Sequence, residues 1–183
     1  EFARAHPGVT LEGFDGQGSA DDVVISGILD AGTTYTSGCR TEAGAFPYCD
    51  SMRHGVWSVT KSLVPAVALL RLAQKHGPQV YAERIADHVR VTGHQAEWSR
   101  VTFLDAANMA TGIGSGSTAT DPNDISDGYL AETSGYDAWY RAPTIAGRLD
   151  ITFRESAYPW GPGRVARYRD QDPLLLMAAM DHY

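Results

Sequence analysis

His54-Gly55-Val56-Trp57-Ser58-Val59-Thr60-Lys61-Ser62-Leu63 sets a serine and a lysine three positions apart at the head of an apolar run. Leu63, Val64, Ala66, Val67, Leu69, Leu70, Leu72 and Ala73 leave almost no polar face, which predicts a helix over 58–76 buried nearly all round. Lys75 and His76 suit its last turn, Gly77 a left-handed cap, and Pro78 cannot continue it. Residues three apart share a helix face, so Ser58 and Lys61 are expected side by side at the N-terminal end. Free backbone N–H groups there, the N–H of Ser58 among them, suit a developing oxyanion. The blander alternative is a serine N-cap with a surface lysine one turn in. A first-turn lysine opposes the helix dipole, and a nucleophile–base pair supplies a reason for it.

Working outward, Asp22 to Leu29 reads as a strand, Asp30-Ala31-Gly32 as a turn, and Thr33 to Ser37 as the β-branched partner strand. Cys39 and Cys49 flank a short turn-like loop. They either remain the free thiols of a cytosolic protein or pair. The short loop favours the disulfide, and with it an exported, periplasmic or extracellular protein. The start of the chain has neither a basic region nor an apolar stretch, as in a mature or trimmed product. After Pro78 a helix is expected from Gln79 to about Val89. Thr102-Phe103-Leu104-Asp105 forms a capping box for a short helix ending near Thr111-Gly112. Gly112 to Gly128 reads as a surface loop, Tyr129 to Gly147 as weakly amphipathic with Tyr136, Trp139 and Tyr140 buried, and Leu174 to Met180 as a buried helix.

Composition narrows the function. The net charge of -7 argues against a nucleic-acid partner. No run of eighteen apolar residues predicts a membrane span. Asp121 to Glu132 half-matches a calcium loop but fails at Ile125 and Ser126, so a solvated acidic loop is the better reading. His88 and His94 lack zinc-ligand spacing, and no metal or other cofactor is expected. Trp57 and Trp160 read as packing residues, with a wall for an apolar acyl group as the alternative.

Ser58-Val59-Thr60-Lys61 resembles the active-site helix of the serine β-lactamase and penicillin-binding protein superfamily, most closely its class C branch with the related esterases and D-aminopeptidases. Val101 to Ile113 is similar to that branch's helix ending in a Thr-Gly-Ile turn. Pro162-Gly163 followed by Tyr168-Arg169-Asp170 and a Leu-rich helix looks like its Tyr-x-Asn element. The resemblance covers residues 22 to 183 and implies an α+β fold of the β-lactamase/transpeptidase type. Residues 22–50 hold the first strands and the cysteine loop, 58–76 the active-site helix, and 79–183 a helical subdomain. It implies a serine hydrolase acting on a small-molecule or peptide substrate, with Ser58 as nucleophile, Lys61 and Tyr168 sharing the proton transfers, and Asp170 at the substrate.

Two departures shape that expectation. Asp170 stands where the family usually has Asn; a carboxylate only accepts hydrogen bonds, and it holds Lys61 protonated, moving the base role towards Tyr168. The family's Lys/His-x-Gly strand is not recognisable, because His6-Pro7-Gly8 precedes the serine and Lys75-His76-Gly77 is a helix stop. The chain thus resembles the N-terminal half of such an enzyme, with the remaining strands expected from a C-terminal fragment or second chain. The competing readings are a non-catalytic binding protein on the same scaffold and one half of a processed heterodimer.

Overall fold

The computed structural model describes residues 1–14, 22–114, 122 and 135–183. The described residues form an α+β structure with two small antiparallel sheets, and the chain divides into two units, Glu1–Gly55 and Val56–Tyr183. The expected acidic loop over 121–132 lies, Pro122 apart, outside the described residues, as does the start of the amphipathic stretch.

In the first unit a short helix, α1 (Phe2–Ala5), precedes the hairpin β1 (Gly27–Asp30) and β2 (Thr33–Thr36). The register pairs Asp30 with Thr33, leaving Ala31 and Gly32 as a two-residue turn with φ of 45° and 82°. Positive φ at both turn positions matches the right-handed twist of the flanking strands. The strand is shorter than its apolar letters imply. Before Gly27 the Ser37 N–H still donates to the Ser26 carbonyl at 2.8 Å, but the Ser26 N–H turns to Ser37 Oγ at 2.9 Å, which replaces the second backbone bond. A second, two-residue pairing joins β3 (Arg40–Thr41) to β4 (Gly44–Ala45), and Cys39 and Cys49 close that loop as a disulfide, their Cα atoms 5.3 Å apart.

The second unit is helical. It begins with α2 (Val59–Lys61), passes through a π turn at Ser62–Ala66 and continues as α3 (Val67–His76). Pro65 has no N–H for the Lys61 carbonyl four residues back, which is why the backbone widens there. The expectation of a helix buried all round is overturned. Leu63, Val64, Val67 and Leu70 are 45–59% exposed, and within this segment only Pro65 and Leu69 are buried. The row Leu63–Val67–Leu70 follows the spacing of one helix face.

The expected helix after Pro78 breaks in two: a 3-10 turn at Pro78–Ala82, then α4 (Ile85–His88). Between them the backbone extends, and Arg84 bridges Thr102 in antiparallel fashion. Next come α5 (Gln95–Trp98) and α6 (Phe103–Ala107). The capping box of α6 forms as expected: Asp105 N–H donates to Thr102 Oγ1 at 3.2 Å, and Thr102 N–H to Asp105 Oδ2 at 2.9 Å. The unit closes with α7 (Tyr136–Arg141), α8 (Ile145–Phe153), which is N-capped by Thr144, and α9 (Gln171–Met180).

The central rod is α9, which lies against α4, α6, α8 and the π turn. Its Leu175, Leu176, Ala179 and Met180 join Ile85, Trp98, Val101, Phe103 and Phe153 in one core. Trp98 meets Phe153 edge-on at 5.2 Å, a favourable aromatic geometry. Of the aromatics expected inside near α7, Trp139 is buried and Tyr136 half-buried, but Tyr140 is exposed. Helical geometry puts consecutive residues on different faces, so Trp139 and Tyr140 do not both face the core. No helix among the described residues is long and apolar enough to cross a membrane.

Candidate active site

Ser58 sits at the N-cap position of α2 but caps nothing. Its φ and ψ of -74° and -7° are helical, and its side chain makes no cap hydrogen bond. The residue before it, Trp57, has φ of 42°, a left-handed conformation that a bulky side chain rarely takes, and it is 91% exposed rather than packed. The N–H groups of Val59, Thr60 and Lys61 are bonded to the carbonyls of Val56, Trp57 and Ser58. The N–H of Ser58 has no such backbone bond among the described residues.

Lys61 returns over the first turn, and its Nζ donates to Ser58 Oγ at 2.7 Å. The same ammonium donates to Tyr168 Oη at 3.2 Å and pairs with Asp170 Oδ1. Three N–H donors thus meet three oxygens, which is the full capacity of a charged lysine. Burial works to lower the Lys61 pKa, but hydrogen bonds to Asp170 and Tyr168 and their charges outweigh it, so the pKa lies above its ordinary value. Tyr168 moves the other way: hydrogen bonds to Ser58 and Lys61 stabilise its phenolate and lower its pKa. The four residues expected at the site, Ser58, Lys61, Tyr168 and Asp170, are therefore in one place. Of the two candidate proton acceptors, the electrostatics favour Tyr168.

A buried polar cluster holds Tyr168 and Asp170 in register. Arg169 lies between them with its side chain turned inward, 2% exposed. Its Nη1 donates to the Ile113 carbonyl at 2.5 Å and its Nη2 to Glu155 Oε2 at 2.7 Å. Its Nε lies 2.9 Å from Asp172 Oδ1 as an ion-pair contact too poorly aligned for a hydrogen bond. Asp172 in turn accepts from Thr111 Oγ1 at 3.1 Å. With Arg169 buried, its neighbours Tyr168 and Asp170, exposed and half-buried, both reach Lys61. The Thr111-Gly112 turn is locked to the segment after α8 by backbone bonds from Tyr158 N–H to Gly112 at 2.8 Å and from Gly163 N–H to Ala110 at 2.7 Å. Gly112, at φ of 69°, is pressed so closely that a Cβ would come 2.3 Å from the Gly161 carbonyl carbon.

Asp170 has a second partner that sequence reading missed: Tyr136 Oη donates to its Oδ2 at 2.5 Å. A groove of 430 Å³ opens beside Ser58 and Lys61, lined by Trp57, Val64, Tyr140, Leu174 and Met177 among others. A separate 580 Å³ cavity in the first unit is bounded by Phe2, Phe14, Ile28 and Tyr35 among others. Among the described residues no cluster of His, Cys, Asp and Glu is arranged to hold a metal ion. Arg169, Glu155 and Asp172 escape sequence reading because a charged residue near a helix end, Glu155 just after α8 and the other two at the start of α9, looks like a solvated one. The one local hint is a run of polar residues, Arg169 to Asp172, directly before Leu174 to Leu176.

No family model matches the chain, and no curated protein or solved structure matches it significantly.

Proposed function

We propose that the chain is a serine hydrolase of the β-lactamase-like type, working through an acyl-enzyme. The reading rests on the 2.7 Å contact of Lys61 Nζ with Ser58 Oγ, made at a serine that performs no capping role. Ser58 Oγ attacks an ester or amide carbonyl. Tyr168, its phenolate favoured by Lys61, takes the serine proton and delivers it to the leaving group. The Ser58 N–H donates to the oxyanion. Water then attacks the acyl carbon, and the same tyrosine returns a proton to Ser58. The exposed row Leu63–Val67–Leu70 supports the further view that sheet strands from additional polypeptide complete the site. The Cys39–Cys49 disulfide supports an exported location.

The test is covalent labelling with a fluorophosphonate and with a fluorescent penicillin, read by peptide mass mapping. One adduct on Ser58, lost in Ser58→Ala, is the expected result. A folded sample with no adduct refutes the hydrolase. A second reading, a non-catalytic binding protein, draws on Asp170: both its oxygens are engaged, by Lys61 and by Tyr136, and it has no donor for a substrate amide. Intact mass of the purified material decides whether a second polypeptide accompanies the chain.

A further inference from the structure

The groove next to Ser58 carries information about the acyl group. Trp57 and Val64 come from the segment bearing the serine, Tyr140 from α7, and Leu174 and Met177 from one face of α9. Trp57, Val64, Tyr140 and Met177 are all exposed, with Met177 least so at 38%. Large apolar side chains gathered in the open around one groove mark a binding surface. The charged groups lining that groove are Lys61 and Asp170, and they neutralise each other. With Asp170 Oδ1 on Lys61 and Oδ2 accepting from the Tyr136 hydroxyl, the described residues lining the groove leave no cation for a carboxylate and offer no side-chain amide for an acylamino group.

We infer that this groove receives an uncharged apolar acyl chain, so that the substrates are carboxylic esters of medium-chain or aromatic acids rather than acylamino peptides. The inference rests on the serine-hydrolase reading and names the substrate class of that site. The acyl side is assigned by position: Tyr168, which protonates the leaving oxygen, is not part of the groove lining, so the alcohol departs on the tyrosine side. In acylation the Ser58 Oγ–carbonyl carbon bond forms, the carbon–alkoxide bond breaks, and the serine proton leaves with the alcohol. Water then cleaves the acyl-enzyme, for a net ester plus water giving acid plus alcohol.

The experiment uses the whole chain, with any co-purifying polypeptide, against p-nitrophenyl esters from acetate to decanoate and a D-alanyl-D-alanine peptide. In parallel, a methyl fluorophosphonate too small to use the groove reports the serine itself. The expected result is a kcat/KM rising about threefold per methylene from acetate to hexanoate, the increment of a partly buried CH₂. Esters are hydrolysed faster than the peptide. Met177→Gln combined with Tyr140→Ser, both at exposed positions, reduces the hexanoate-to-acetate ratio at least fivefold. Labelling of Ser58 with no dependence on chain length, or with the peptide preferred, overturns the groove assignment while the nucleophile stands. Absence of both labelling and ester hydrolysis in a folded sample overturns both.

Discussion

Glu155→Gln tests the buried cluster beneath the site. Arg169 faces two carboxylates, and both are taken from water: Glu155 is 8% exposed and Asp172 fully buried. For Glu155 burial dominates over the pairing with Arg169, and its pKa is pushed from 4.5 to about 7. Asp172, for the same reason, rises from 3.8 to about 6. Because the folded state binds the Glu155 proton more tightly than the unfolded chain, its contribution to stability is fully present below pH 4.5 and is lost as pH rises through about 7. An increase of that size corresponds to about 3 kcal/mol. Gln keeps an oxygen for the Arg169 guanidinium but cannot ionise. Urea denaturation of both proteins between pH 4.5 and 8 follows the effect, with the Asp172 titration, coupled to Glu155 through Arg169, present in each. The stability of the native protein relative to Glu155→Gln is expected to fall by about 3 kcal/mol across that window. A difference that is flat, or that rises with pH, refutes the reasoning, because it means that the ion pair with Arg169 outweighs the cost of burying the charge.

Two further outcomes are specific enough to check. Asp170→Asn removes the carboxylate that holds the Lys61 charge, so the Lys61 pKa falls; the alkaline limb of fluorophosphonate labelling at Ser58 moves to lower pH, and an unmoved limb counts against the Lys61–Asp170 pairing. Gly112→Ala forces a Cβ against the Gly161 backbone at a positive φ; thermal denaturation should show a loss of about 2 kcal/mol or more, whereas a neutral result means the Thr111-Gly112 turn yields easily.

Local chemistry was legible in the letters. The hairpin turn at Ala31-Gly32, the Thr102–Asp105 capping box, the Cys39–Cys49 pairing and the Ser58–Lys61 adjacency each involve residues within about ten positions, where backbone geometry alone decides who meets whom. Tyr168 and Asp170 enter the expectation through motif order alone, and the structure sets both against Lys61. Burial was another matter. The apolar letters of Leu63, Val67 and Leu70 describe what the side chains prefer, not which neighbours are present to cover them, and in this structure α9 takes the central place instead.

What the sequence by itself determined is therefore the set of short-range devices and the pairing of a serine with a lysine on one helical turn. Only the tertiary structure decided their electrical state. Whether Lys61 is a neutral base or a held cation depends on an oxygen more than one hundred positions away. That oxygen is aimed outward because Arg169 is anchored inward by Glu155, Asp172 and the Ile113 carbonyl. A pKa is set by distance and desolvation, and both are properties of the packed chain rather than of the order of its residues.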